Sequence, residues 1–247
     1  MSRPEIVPLQ PEGLPLSVCV IASESDAHYM LDLLRTIPNG SEVVVLWNSI
    51  GEVEEPTVHR KTKTYGNTVV RYYKTVKTKL HFANLRNECI ALATRPWIMW
   101  LDADDRLMVH QHDFFKRLSE YPPGIGGLIC GCVGSQQTHT GTEFDDAVRY
   151  HVPTIRLFRN GYGFQFEGAA HEQIGWSIDE AGFRAAPCSL IVHHVGYEIS
   201  ADKMKAKLER NVKLLSTEYA SCDDQRKLTL WSQMLARDSQ HLQKYQG

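Results

Sequence analysis

The sequence predicts an α/β domain built on a parallel sheet and closed by a helical end. Three observations carry this. Short β-branched apolar runs alternate with helical patterns between Leu16 and Leu101, the mark of βαβ units. The last of those runs leads straight into an acidic cluster. Beyond residue 200 the pattern turns wholly helical. With 247 residues, 43% of them hydrophobic, the chain is long enough to bury one large core.

The run from Leu16 to Ala22 is short, apolar and β-branched, with Pro15 before it and polar residues after it. It reads as a buried strand. From Asp26 to Thr36, Tyr29, Met30, Leu33 and Leu34 recur at helical spacing with Ile37 just beyond, and Pro38-Asn39-Gly40 stops the helix. Glu42 to Trp47 is a second buried strand, and strand, helix, strand in this order implies parallel pairing. A polar stretch runs from Ser49 to Asn67, and Val69 to Lys74 reads as a third strand. Residues 82–93 form a helix with Phe82, Leu85, Cys89, Ile90 and Ala93 inward. Pro96 then introduces the strand from Trp97 to Leu101, which enters Asp102-Ala103-Asp104-Asp105. A helix from His112 to Tyr121 stops at Pro122-Pro123. Strands follow from Leu128 to Val133 and from Thr154 to Phe158. Lys203 to Tyr219 and Arg226 to Tyr245 carry leucine and methionine at helical intervals. The expected divisions are an extended lead over 1–15, with Pro4, Pro8, Pro11 and Pro15, a catalytic domain over 16–200, and a helical extension over 201–247.

Composition narrows the function. The net charge is −2, so no global positive excess points to nucleic acid or membrane. No run approaches the ~18 apolar residues of a membrane span. The first residues have no apolar core, so no signal peptide is expected. The six cysteines, Cys19, Cys89, Cys130, Cys132, Cys188 and Cys222, lack the paired spacing of a structural zinc site. Free thiols in a reducing cytoplasm are the expectation.

In open α/β sheets, ligands sit outside the carboxyl ends of the strands, which is where Asp102, Asp104 and Asp105 fall. Two carboxylates one residue apart on an extended chain can address one point. Hard oxygen ligands at that spacing suit Mg2+ or Mn2+, which borrow oxygens from substrate phosphates. The plain alternative is a solvated acidic turn capping the next helix.

Longer motifs surround this cluster. FANLRNECIALATRPWIMWLDADDRL, Phe82 to Leu107, resembles the central signature of family-two glycosyltransferases, where an "ARN" helix leads through an apolar strand to "DADE". IRLFRNGYGFQFEGAAHEQI, Ile155 to Ile174, resembles that family's "RLFRN…F.G.(V/I)HE" segment. IVHHVGYEISADKMKAKLERNVKLL, Ile191 to Leu215, resembles the "I.H.GY…K..RN..LL" that closes the catalytic domain in one branch. Three motifs in the family's order are more specific than any one alone.

The resemblance implies a GT-A fold, a Rossmann-like mixed sheet flanked by helices, and metal-dependent, inverting transfer of a hexose from a UDP-sugar. Asp104 is implied as a ligand of Mn2+ or Mg2+, with His194 completing the shell. A satisfied core histidine is the alternative for His194. His193 beside it points the other way along a strand. Donor contacts are implied at Ala22, Ser23, Glu24, Asn48, Arg86, Asp102, Ala103 and His171, with orienting Glu172 as the alternative for His171. Glu172 is the candidate base, since a single displacement needs a carboxylate to take the acceptor's proton. Its alternative is a helix-start glutamate stabilised by the macrodipole. Arg86 has an exposed helix arginine as its alternative, and Asn87 is expected to fix local backbone. Arg156 and Arg159 suit either phosphate or a structural ion pair.

The chain departs from the family pattern in two places. Its first strand ends in Ala22-Ser23-Glu24-Ser25 rather than "ARNE" or "PTYN". Its second ends in Trp47-Asn48-Ser49, so that Asn48 stands where an aspartate is usual; an amide donates as well as accepts. From Arg60 to Lys79 the chain holds Arg60, Lys61, Lys63, Arg71, Lys74, Lys77 and Lys79, no acid, and Tyr65, Tyr72 and Tyr73. This is a phosphate-seeking composition. It admits an anionic acceptor such as nucleic acid, a teichoic-type polymer or a lipid headgroup, or else a modified base in DNA, and equally a solvated strand face. The competing class is a non-catalytic module of this fold that binds a polyanion through Arg60–Lys79.

Overall fold

A computed structural model describes residues 13–49, 60–65, 68–75, 80–134, 136–137, 144–145, 153–195 and 201–245. Pro4, Pro8 and Pro11 of the lead, Lys77 and Lys79 of the basic stretch, and Gly196-Tyr197 lie outside the described residues. In chain order the elements are β1 (Leu16–Ala22), a 3-10 turn (Glu24–Asp26), α1 (Ala27–Thr36), β2 (Glu42–Asn48), β3 (Arg60–Tyr65), β4 (Thr68–Thr75), α2 (Phe82–Ile90), β5 (Trp97–Asp102) and β6 (Asp105–Leu107). A 3-10 helix (Val109–Glu120), β7 (Ile125–Gly134), β8 (Gln136–Gln137), β9 (Phe144–Asp145), β10 (Thr154–Arg159), α3 (Gly175–Glu180), β11 (Arg184–His194), α4 (Ala201–Ser221) and α5 (Gln225–Gln243) complete them. No helix of the described residues is long and apolar enough to cross a membrane.

Among the described residues nine strands make one sheet in the order β3-β4-β2-β1-β5-β10-β7-β11-β6. β4, β2, β1 and β5 run parallel. β10 is antiparallel to both neighbours, β11 is parallel to β7, and β3 and β6 run antiparallel at the ends. The sheet is therefore mixed around a parallel centre, as GT-A resemblance implies. Buried on both faces, β1 and β2 read as near-continuous apolar runs.

β5 shows how two cores share one strand. Trp97, Met99 and Leu101 face the core that contains Met30 and Leu33 of α1 and Phe115 and Leu118 of the 3-10 helix. Ile98 and Trp100 face the core that contains Ala83, Leu85, Cys89 and Ile90 of α2, with Phe164, Phe166 and Ile178. Alternation thus assigns Asp102 to the α2 face.

The segment expected as an α-helix from His112 to Tyr121 is a 3-10 helix instead. Its inward residues explain the difference. Phe115 and Leu118 are fully buried, His112 lies within 2.9 Å of the Thr36 carbonyl, and Tyr121 packs on the same core. Those positions recur every third residue, the 3-10 period.

The sheet must curl. β6 stands four strands from β5 in the ladder, roughly 19 Å if the sheet were flat at ~4.8 Å per strand. Only Ala103 and Asp104 join the two, and three residue steps span at most roughly 11 Å. Curling brings the far edge of the sheet back to the carboxyl end of β5.

The opposite ends of the strands are fastened by a buried acid. Glu42 is inaccessible to water. It accepts from Ser17 on β1, Arg71 on β4, and the backbone N (2.8 Å) and Oγ1 (3.1 Å) of Thr94. Removing one partner strands a buried charge. Arg71→Met is expected to lower stability by about 3–5 kcal/mol in urea unfolding. Arg35→Met, which breaks an exposed pair with Asp32, should leave the midpoint where it was.

Candidate active site

The acidic turn is built by strand pairing. β6 pairs with the end of β11, so Asp105 stands opposite His194, and Val195 N donates to Asp104 O at 2.9 Å. The chain after Asp104 continues as a strand, which excludes the helix-capping reading. Asp105 is fully buried. It accepts from Asp102 N (2.8 Å), Arg156 Nη1 (2.9 Å) and His194 Nδ1 (2.9 Å). Because an ionised carboxylate only accepts, that last bond puts the proton on Nδ1. His194 Nε2 then faces Asp104 Oδ2 across 3.3 Å.

Asp102, Asp104, Asp105 and His194 each bring a ligand atom within 4.8 Å of the others. Their present partners differ. Asp105 is engaged by three protein donors. Asp102 Oδ1 takes Arg86 Nη2 at 2.7 Å, and its Oδ2 lies 3.7 Å from Arg156. Asp104 Oδ2 and His194 Nε2 lie 3.3 Å apart, an oxygen and a nitrogen of the types that suit Mn2+ or Mg2+.

Environment separates the two neighbouring acids. Burial opposes the charge of Asp102, but Arg86 and Arg156 outweigh it and hold that carboxyl well below the usual range. Burial pushes Asp104 up to about 6; His194 opposes the rise, and the charges of Asp102 and Asp105 add to it. Burial would lower His194, yet the Asp105 hydrogen bond and the charges of Asp104, Asp105 and Asp102 leave it above its ordinary value.

Arg86 is 5% exposed, so the exposed-arginine alternative is removed. Besides Asp102 it binds Glu172, and its guanidinium carbon lies 3.9 Å from the Trp100 ring centroid. Arg156 lies 3.8 Å from the same centroid, a favourable setting for both cations. Asn87 donates to Phe166 O at 2.9 Å and accepts from Phe166 N at 2.7 Å, fastening α2 to the segment that leads to Glu172.

Glu172 lies outside any helix start, since α3 begins at Gly175 with Ile174 as its cap. Its loop is pinched where Glu167 and Gln173 exchange two 2.8 Å backbone bonds, and it is hooked to α2 by Phe82 N to Ala169 O (3.1 Å) and Ala83 N to Gly168 O (3.3 Å). Gly168 takes φ +102, where a side chain would be strained. His171 takes φ +54 without being glycine, a conformation that costs about 1–3 kcal/mol. The structure brings Glu172, Arg86 and Asp102 into one chain of contacts. It carries the His171 ring instead to α5, where Nε2 meets Asp238 Oδ2 at 2.7 Å.

Ile21 is in register with Asp102, which sets Ala22 and Ser23 beside the acidic turn. Ser23 N and Oγ both donate to Asp26 at 2.8 Å. Glu24 accepts from Trp47 Nε1 and Ser49 Oγ, each at 3.0 Å, and the Trp47 bond is the main reason its pKa is lowered. Asn48, 5% exposed, ends β2 in the same row. Arg159 is structural: it donates to the carbonyls of Ile125, Tyr121 and Pro122 and lies 4.6 Å from the Trp97 ring centroid. Within the basic stretch, Arg71 is engaged by Glu42 and Lys74 is exposed. Sequence reasoning placed Asp105 in the acidic cluster but gave it no role, and it did not single out Asp238. The faint signal for Asp105 was a third acid leading into an apolar position at Leu107; Asp238 gave none.

No protein-family model matches the chain. The SPbeta prophage-derived glycosyltransferase SunS of Bacillus subtilis (strain 168) and the glycosyltransferase SunS of Bacillus phage SPbeta are each 28% identical to it over 202 residues, covering 81% of this chain and 44% of theirs. The chain thus spans less than half the length of the curated relatives it matches. Among solved structures, mannosyltransferase PcManGT from Pyrobaculum calidifontis, in complex with GDP-Man and Mn2+, aligns at 12% identity and TM-score 0.49 over 96% of this chain and 72% of that one. S. aureus TarS in complex with UDP aligns at 13% identity and TM-score 0.42 over 93% of this chain and 70% of that one. In its motifs, and in its mixed sheet with an Asp-x-Asp turn at the end of a central parallel strand, the chain resembles family-two glycosyltransferases of the GT-A fold.

Proposed function

We propose that the chain is a glycosyltransferase unit that moves a hexose from a UDP-sugar to an acceptor nucleophile, with inversion and with Mn2+ or Mg2+ at Asp104 and His194. The observation that carries the reading is the meeting of Asp104 and His194 beside Asp102, at the carboxyl ends of parallel strands. The similarity to SunS supports the reaction class. Asp104 and His194 would hold the divalent ion, which would supply charge to neutralise the departing diphosphate.

The chain's own residues do the rest. Asp102, kept ionised by Arg86 and Arg156, offers acceptor oxygens to donor hydroxyls. Ala22, Ser23, Glu24, Asn48 and Ala103 border the donor side from the ends of β1, β2 and β5. Glu172 takes the acceptor's proton as the nucleophile attacks, and Arg86 keeps its carboxylate in place. An anionic polymer or a modified DNA base is the acceptor class that the composition of Arg60–Lys79 supports. The catalytic unit is residues 16–200, with 201–247 as its helical extension, and the setting is a reducing cytoplasm.

Asp104→Ala is expected to lower Mn2+-dependent UDP-sugar turnover on the order of 10²–10³-fold; turnover equal to that of the parent chain removes the metal role. Protons compete for the same ligands. Metal binding needs Asp104 and His194 deprotonated, and both hold protons more tightly than their ordinary values. Mn2+ affinity should therefore begin to weaken as pH falls through the raised range of His194 and weaken more steeply below about 6, where Asp104 also takes a proton, by roughly tenfold per unit for each proton displaced. Calorimetric titration with Mn2+ across that range reads it directly.

A further inference from the structure

Asp238 lies on α5, outside every motif, yet it reaches the loop that holds Glu172. It is 2% exposed. Its Oδ2 stands 2.7 Å from His171 Nε2 and accepts from Asn211 Nδ2 on α4 at 3.3 Å. Its Oδ1 accepts from Arg237 Nε (3.2 Å) and Nη2 (3.1 Å). Burial opposes the charge, but the His171 bond and the charges of His171 and Arg237 keep the carboxyl below its ordinary value. Next to this polar contact, Trp231 of α5 and Leu215 of α4 pack on Ala170. The two helices therefore grip the loop at consecutive residues.

His171 is the one non-glycine residue with positive φ among those described. Such a conformation persists where its surroundings over-determine it. The backbone hooks hold residues 167, 168, 169 and 173. At His171 itself the Gln173 amide holds the carbonyl at 3.0 Å, and α5 holds the ring. At Glu172 the holder is Arg86.

We propose that Asp238 is a positioning residue for Glu172: by gripping the His171 ring it maintains the left-handed turn that delivers the Glu172 carboxylate to Arg86, which makes α4 and α5 a working part of the site. Asp238 acts through His171. The effect on transfer rests on Glu172 being the base; the loop geometry does not.

The experiment uses the full chain with Asp238→Ala and Asp238→Asn, each alone and combined with His171→Gly, because glycine adopts positive φ without side-chain support. In ligand-free protein, amide hydrogen exchange over residues 168–173 should rise by roughly tenfold in Asp238→Ala while β1 and β5 stay protected. In the His171→Gly background the same change should add less than about threefold. In UDP-sugar turnover with Mn2+, kcat should fall on the order of tenfold with the donor KM within about twofold, again with little further loss in the glycine background. An unchanged loop in Asp238→Ala, or equal losses with and without His171→Gly, overturns the proposal. If the alanine variant does not fold, Asp238→Asn, which keeps an acceptor oxygen and drops the charge, is read by the same two comparisons. A loop that responds as stated in a chain that turns over no UDP-sugar upholds the grip and sinks the transferase reading alone.

Discussion

A carboxylate cut off from water must find its donors inside the protein, and Asp105 draws them from three strands. One is the backbone N of Asp102 on β5, one is Arg156 on β10, and one is His194 on β11. Leaving any of these bonds unmade would strand a buried charge or a buried donor. This need ties the curled edge of the sheet to its centre. It also fixes which nitrogen of His194 carries the proton, and hence which one faces Asp104. The geometry of the site thus descends from a residue whose own oxygens are turned inward.

The same region gathers charge of both signs. Arg86 bridges Asp102 and Glu172, Arg156 lies against Asp105 and Asp102, and Arg106 acts on Asp104 and Asp105 from the next position. Burial is the main reason Asp104 rises to about 6, and the charges of Asp102 and Asp105 add to it. Trp100, close to the guanidinium groups of Arg86 and Arg156, lets those two cations sit in an apolar setting.

Much of this architecture was legible in the sequence because central strands are buried on both faces and appear as near-continuous apolar runs. β1, β2 and β5 all have that form. β3 escaped notice because an edge strand such as RKTKTY pairs on one side only and can be wholly polar. β6 escaped because it is three residues long and two of them, Asp105 and Arg106, are charged although buried. The residues of the acidic turn, Glu172 and His194 stood out by type and motif. The contacts that join them did not, since Arg156, His194 and Asp238 meet their partners across 51, 89 and 67 residues of chain. Local periodicity carries no record of such pairings.

The division of β5 between two cores has a consequence for how this chain can change. Adding or deleting one residue within that strand would exchange its faces. Leu101 would then lie under α2, and the carboxylate of Asp102 would turn toward Phe115 and Leu118, away from Arg86. Viable length variants must change β5 by an even number or leave it alone, so insertions and deletions in a lineage of such chains should collect in its loops and spare this strand.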